Sequence, residues 1–166
     1  MPSLLPHTRS FKEKLSGILD DFRHMTHELH PRHLDTVTLA CSMRTYLKEF
    51  QEYTNLHVDF EDQNMLGHLP MPITICLYRL LQESLGNIRK HAKAKHVTIK
   101  LSGGPNVIEL LVSDDGSGFN PADSKKGLGM ISMQERVRPL RGHISVTSAP
   151  GKGTRLAVKI PIPADR

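Results

Sequence analysis

The chain contains no tryptophan, three tyrosines, five phenylalanines and two cysteines in 166 residues. Without tryptophan and with few other aromatics, it has little with which to stack nucleic-acid bases. Its 22 lysines and arginines give a formal charge of +5 but are scattered along the chain, so no nucleic-acid partner is expected. Two cysteines exclude a disulfide-stapled scaffold. Cys41 and Cys76 each fall in an apolar helical pattern and read as buried, reduced thiols. No apolar run approaches the roughly 20 residues that cross a bilayer. The start, Met1-Pro2-Ser3-Leu4-Leu5-Pro6, lacks the apolar stretch of a signal peptide. The expected location is therefore cytoplasmic, and any membrane-anchored part of a larger protein would lie elsewhere. The hydrophobic content of 38% and charged content of 23% are ordinary for a globular chain. Its length suffices for one domain with a core and a short appendage.

Residues 11–29 carry Leu15, Ile18, Leu19, Phe22, Met25 and Leu29, a spacing that lines up one apolar helix face. Pro31 ends that helix. A second helix is predicted from about Thr36 to Tyr53, with Leu39, Met43, Leu47 and Phe50 on its buried side. Leu56 to Glu61 alternates as a half-buried strand does. After a loop from Gly67 to Pro72, a helix is predicted to about His91, its apolar side made by Ile75, Leu77, Leu80, Leu81, Leu85 and Ile88. His96–Leu101 and Val107–Ser113 read as a hairpin around Ser102-Gly103-Gly104-Pro105-Asn106. Asn120 to Lys126 is polar and reads as a mobile loop. Met130 to about Arg138 reads as a helix, and His143–Ser148 and Arg155–Ile160 as two further strands. This order is not the strict alternation of a doubly wound sheet. It predicts an α+β fold: a two-layer sandwich with a mixed, mostly antiparallel sheet and helices on one face.

Four polar or glycine-bearing segments follow one another in the second half. Glu83 and Asn87 are four residues apart and share a helix face, with Lys90 and His91 a turn further on. A carboxylate, an amide oxygen and a cation on one face suit a magnesium nucleotide, since Mg²⁺ prefers hard oxygen ligands and leans on phosphates. A helix with this face standing alone would be read first as a solvated polar face. Asp114-Asp115-Gly116-Ser117-Gly118-Phe119 places a carboxylate at a strand end before two glycines, where it can accept from an exocyclic amine while the backbone approaches closely. One glycine would be enough for an ordinary turn there. Gly127 and Gly129 precede a helix, whose free N–H groups favour phosphate, although a plain turn into a helix has the same look. Thr154 follows Gly151-Lys152-Gly153 and, taken alone, is a strand residue.

In this order, the four segments resemble the GHKL ATPases: gyrase, heat-shock chaperones, histidine kinases and MutL. They look most like the catalytic ATP-binding domain of sensor histidine kinases. The resemblance implies the Bergerat fold, ATP and Mg²⁺ as cofactors, and a site in which Asn87 holds Mg²⁺ and Glu83 orients or deprotonates the attacking group. By the same resemblance Lys90 and His91 lie near the phosphates, and Asp114 contacts adenine with Gly116 and Gly118 beside it. Gly127 and Gly129 hinge the lid and back the phosphates, and Thr154 lies near Asp114. Lys125 and Lys126 end a short lid, and the basic surplus is read as serving nucleotide phosphates. That lid, followed by Gly127-Leu128-Gly129-Met130-Ile131-Ser132-Met133-Gln134-Glu135-Arg136-Val137, is similar to the NarX-like and DesK-like branch. The similarity runs from about Leu15 to Pro161.

Thr26-His27-Glu28-Leu29-His30-Pro31 has the look of a phosphoacceptor box, but Pro31 stops its helix at once and no second long helix fits before Leu56. Residues 1–31 are therefore read as the tail of a dimerisation helix with its linker, and 32–166 as the catalytic domain. The expected partners are ATP, a phosphoacceptor helix outside this chain and a response regulator. The full-length protein is expected to be a homodimer, the present chain a monomer. Two other readings share the pocket: a protein-serine kinase of the anti-sigma type, and an interaction module with a decayed site. The N-terminal apolar stripe speaks against the first, and the intact polar residues against the second.

Overall fold

The computed structural model describes residues 38–64, 69–120 and 128–163. The predicted helix over 11–29, the boundary at residue 31, His27 and His30 lie outside the described residues.

Helix α1 is Leu39–Tyr53. Thr38 caps it, its hydroxyl accepting from the Cys41 N–H at 3.4 Å. Leu39, Met43, Leu47 and Phe50 recur every three or four residues and are all buried. Cys41 lies off that stripe and is exposed, contrary to expectation. Its neighbours at a helical spacing, Arg44, Thr45 and Lys48, are exposed too. Strand β1 is His57–Gln63. The Gln51 side chain accepts from the Val58 N–H at 2.9 Å and joins helix to strand.

Helix α2 is Met71–Asn87, with Pro72 in its first turn. Most of its circumference is buried, including Ile73, Leu77, Leu80, Leu81 and Leu85. The residues left at least partly open are Met71, Pro72, Ile75, Arg79, Glu83, Gly86 and Asn87. Ile75, Arg79, Glu83 and Asn87 are four apart and form one stripe. Ile75 therefore belongs to the face of Glu83 and not to the apolar side, and it is 40% exposed. The helix does not run evenly to His91: from Ile88 to Ala92 it widens into a π-helical turn that Lys93 closes at φ +52°.

Strands β2 (His96–Gly103) and β3 (Val107–Asp114) form the predicted hairpin. Helix α3 is Leu128–Val137, followed by a short 3₁₀ turn, Arg138–Leu140. Strands β4 (His143–Ser148) and β5 (Thr154–Pro161) complete a five-stranded sheet in the order β1-β2-β3-β5-β4. Among the described residues only β1–β2 is parallel, so the sheet is mixed and mostly antiparallel, as the sequence predicts.

Alternation along the strands puts Val97, Ile99, Leu101, Ile108, Leu110, Val112, Leu156, Val158 and Ile160 on the buried face beneath the helices. Each such side chain contributes about 1.5–3 kcal/mol when fully buried. The opposite face is polar. There Lys100 reaches Glu61 at 2.8 Å and Lys159 reaches Glu109 at 2.7 Å, both between directly paired residues. Tyr46 of α1 and Tyr78 of α2 pack with ring centroids 5.7 Å apart. The Cys76 thiol donates to the Arg136 carbonyl at 3.5 Å and ties α2 to α3. Burial pushes that thiol up to about 11, so it stays protonated at neutral pH.

Candidate nucleotide site

The site begins where β3 ends. Asp114 is the last residue of that strand, paired with Thr154 on β5, and is 7% exposed. Its carboxylate accepts from the Gly116 N–H at 2.8 Å and from the Thr154 N–H. Burial raises its pKa, and those two N–H groups pull it back down. Asp115, one residue on, is exposed and does a different job. It accepts from the N–H groups of Lys95 and His96 at 2.8 and 2.9 Å, and its second oxygen lies 3.0 Å from His96 Nδ1. These contacts hold its carboxyl down at about 2. The first carboxylate is thus left for the cavity, and the second staples the start of β2 to the loop.

Two glycines shape this loop by what a side chain would strike. A Cβ at Gly116 would run into the Ala92 carbonyl at the end of the π turn. Gly153, at φ +68°, passes so close to the Asp114 carbonyl that a Cβ there would overlap it. Hydrogen bonds then clamp the loop from both sides. The Ser117 N–H donates to the Ala92 carbonyl at 2.7 Å, and the Gly151 N–H donates to the Ser117 carbonyl at 2.6 Å. The Phe119 N–H donates to Ser148 Oγ at 2.9 Å.

Across the cavity stands the end of α2. Asn87 donates through Nδ2 to Glu83 Oε1 at 3.3 Å, which leaves its own carbonyl oxygen available. Gly129, at the start of α3, lies against this pair: a Cβ there would strike the Glu83 carboxylate. The cavity between helix end and loop has a volume of about 280 Å³. Asn87, His91, Asp114 and Thr154 supply polar lining, with Ser117 and Gly118, while Ile88, Ala92 and Phe119 supply apolar lining. A flat heterocycle with one polar edge suits such walls.

The fold therefore brings Asn87, His91, Asp114, Gly118 and Thr154 onto one cavity, with Glu83, Gly116 and Gly129 bordering it. Lys90 is exposed on the π turn and does not line it. Lys126 and Gly127 lie outside the described residues. Sequence reasoning missed Ile88, Ala92, Ser117, Phe119 and Ser148. Phe119 and Ser117 stand inside the glycine motif and could have been drawn from it. Ala92 and Ser148 carry no signal of their own, because their roles rest on a backbone carbonyl and on a turn from another strand.

The donor set fits a magnesium ion that arrives with a nucleotide. Asn87 offers one hard oxygen beside the Glu83 carboxylate, and among the described residues no group of three or more acids, histidines and cysteines could hold a metal alone. Such a site suits a cation that keeps several waters and shares phosphate oxygens. Among the described residues, no helix is long and apolar enough to cross a membrane.

The sequence profile described as histidine kinase-, DNA gyrase B- and HSP90-like ATPase matches residues 74–164. The chain is 33% identical over 159 residues to the signal transduction histidine-protein kinase/phosphatase DegS of Brevibacillus brevis, covering 95% of this chain and 41% of that protein. It is 31% identical over 161 residues to the oxygen sensor histidine kinase NreB of Staphylococcus carnosus, covering 96% and 46%. The chain thus spans less than half the length of these curated relatives. A solved histidine kinase domain from the Erythrobacter litoralis EL346 blue-light activated histidine kinase superposes with a TM-score of 0.62 at 19% identity, over 75% of this chain and 61% of that one. The mycobacterial sensor histidine kinase MprB superposes with a TM-score of 0.55 at 18% identity, over 74% and 92%. Both share its fold.

Proposed function

This chain belongs to the family of histidine kinase-, DNA gyrase B- and HSP90-like ATPases, and on that premise we propose that it is the ATP-binding catalytic part of a cytoplasmic two-component sensor histidine kinase. The observation that carries the reading is the cavity in which a buried carboxylate, Asp114, faces the amide of Asn87 across apolar walls.

In this reading the adenine edge donates its exocyclic amine to Asp114, and Ile88, Ala92 and Phe119 take the flat faces of the base. Asn87 holds Mg²⁺ through its free oxygen, and the bound ion supplies charge neutralisation on the triphosphate. Gly127 and Gly129 let the first N–H groups of α3 approach the phosphates, with His91, Lys90 and Lys126 as nearby cations. The phosphoacceptor is a histidine outside this chain. Its imidazole nitrogen attacks the γ-phosphorus, the bond from that phosphorus to the bridging oxygen breaks, and ADP leaves. Glu83 orients the imidazole or takes its proton. Positioning and charge stabilisation do most of the work. The phosphoryl group then passes to an aspartate of a response regulator. The full-length kinase acts as a homodimer.

Phosphotransfer tests this directly. With ATP radiolabelled at the γ-phosphate, this chain should stay unlabelled, while an added dimerisation fragment carrying the upstream helix should become labelled. Acid-labile label on this chain alone, abolished by His27→Gln, would put the acceptor in the wrong place.

A further inference from the structure

Ser148 ends β4 and stands behind the cavity, outside its lining. Its hydroxyl has three partners. It lies 2.9 Å from the Gly153 carbonyl, it is 2.9 Å from the Phe119 N–H, and it is 3.1 Å from Thr154 Oγ1. A hydroxyl has one hydrogen and two lone pairs. The Gly153 carbonyl can only accept, so it takes the serine hydrogen. The Phe119 N–H can only donate, so it takes one lone pair. One lone pair is left, and Thr154 satisfies the third contact only by donating its own hydrogen to Ser148.

Thr154 lines the cavity next to Asp114. With its hydrogen spent on Ser148, its hydroxyl can offer the cavity only an acceptor. The carboxylate beside it is an acceptor as well. This part of the wall therefore matches the donating amine at position 6 of adenine and opposes the carbonyl that a 6-oxo purine carries at the same position, so the selection is made at position 6 and not at N1.

We infer that Ser148 is a positioning residue for base selection: it fixes Thr154 as an acceptor, so that the cavity takes a 6-amino purine and rejects a 6-oxo purine. This rests on the adenine-binding reading above. Were Ser148 absent, Thr154 could turn its hydrogen into the cavity and donate to a carbonyl, and part of the rejection would be lost.

The test compares Mg-ATP with Mg-ITP, which has a carbonyl in place of the amine, by calorimetric titration of the full chain. The parent should prefer ATP. Ser148→Ala should lower the ATP-over-ITP preference about three- to tenfold, the worth of one neutral hydrogen bond, and Ser148→Thr should restore it. A merely structural serine would weaken both nucleotides alike and leave the ratio unmoved. Thr154→Val gives a second route should Ser148→Ala not fold, and it too should lower the preference. In the Thr154→Val background, Ser148→Ala should add no further change in the ratio. An unchanged ratio in Ser148→Ala or Thr154→Val, or Ser148→Thr behaving like Ser148→Ala, overturns the inference while ATP binding itself stands. A folded parent that binds neither nucleotide overturns the adenine reading beneath it.

Discussion

Asp114 and Asp115 are adjacent, chemically identical and put to opposite uses. Asp115 spends its oxygens on two backbone N–H groups and a histidine ring, and is held ionised. Asp114 is buried with its pKa raised, so the folded chain holds that proton more tightly than the unfolded chain does. The cost of burying its charge is therefore carried at neutral pH and relieved on acidification. Asp114→Asn removes that cost and keeps an oxygen for the Gly116 N–H. It also turns an amino group toward the adenine amine. The thermal midpoint of the nucleotide-free protein should hold or rise, while ATP affinity falls about ten- to hundredfold, ~1.5–3 kcal/mol for a charge-assisted hydrogen bond. A clear drop in the midpoint of the empty protein, or unchanged ATP affinity, would contradict this division of labour. The sequence singles out Asp114 by its place at the strand end and by the resemblance, but it does not show what Asp115 does. Which one faces the cavity is set by strand parity: Asp114 continues the inward alternation of Ile108, Leu110 and Val112, and Asp115 leaves the strand.

At the scale of elements, α2 explains both a success and a miss. The spacing of Glu83 and Asn87 correctly gave one helix face. Ile75 was assigned to the core because it is apolar, although it lies eight residues before Glu83 on the same open stripe. Cys41 was misplaced for the same reason. The π turn at Ile88–Ala92 left no mark in the apolar pattern, yet it carries the Ala92 carbonyl to the Ser117 N–H. Glycines within these elements separate into two kinds that sequence alone does not distinguish. At Gly86, inside α2, a Cβ would meet nothing within 4 Å. Gly86→Ala should therefore stabilise the protein by about 0.5–1 kcal/mol through helix propensity. Gly153→Ala should destabilise it by at least ~1–3 kcal/mol, because φ is positive and the Asp114 carbonyl stands in the way. Urea denaturation measures both. Equal and small effects at the two positions would mean that the close approach at Gly153 is not the constraint described.

For the whole molecule, the order of helices and strands was legible because strong periodicities were separated by proline and glycine signals. Pairing was less so: nothing in His57–Gln63 marks it as the partner of β2 in the one parallel pair, since strand direction is settled by the α2 crossover. The cavity also belongs to this scale. It joins a helix end, a strand end and a hairpin turn that are far apart in sequence: Asn87 and Asp114 are 27 residues apart, and Asp114 and Thr154 are 40. The central claim is that these parts together bind ATP with Mg²⁺. Titration of a fluorescent ATP analogue into the folded parent chain, with Mg²⁺ and with chelator, tests it most directly, and Asn87→Ala isolates the metal. Binding should saturate below millimolar nucleotide and tighten with Mg²⁺ in the parent, and Asn87→Ala should lose most of that tightening while keeping metal-free binding. No saturable binding by the folded parent at millimolar nucleotide, or an Asn87→Ala response to Mg²⁺ equal to the parent's, would contradict the account.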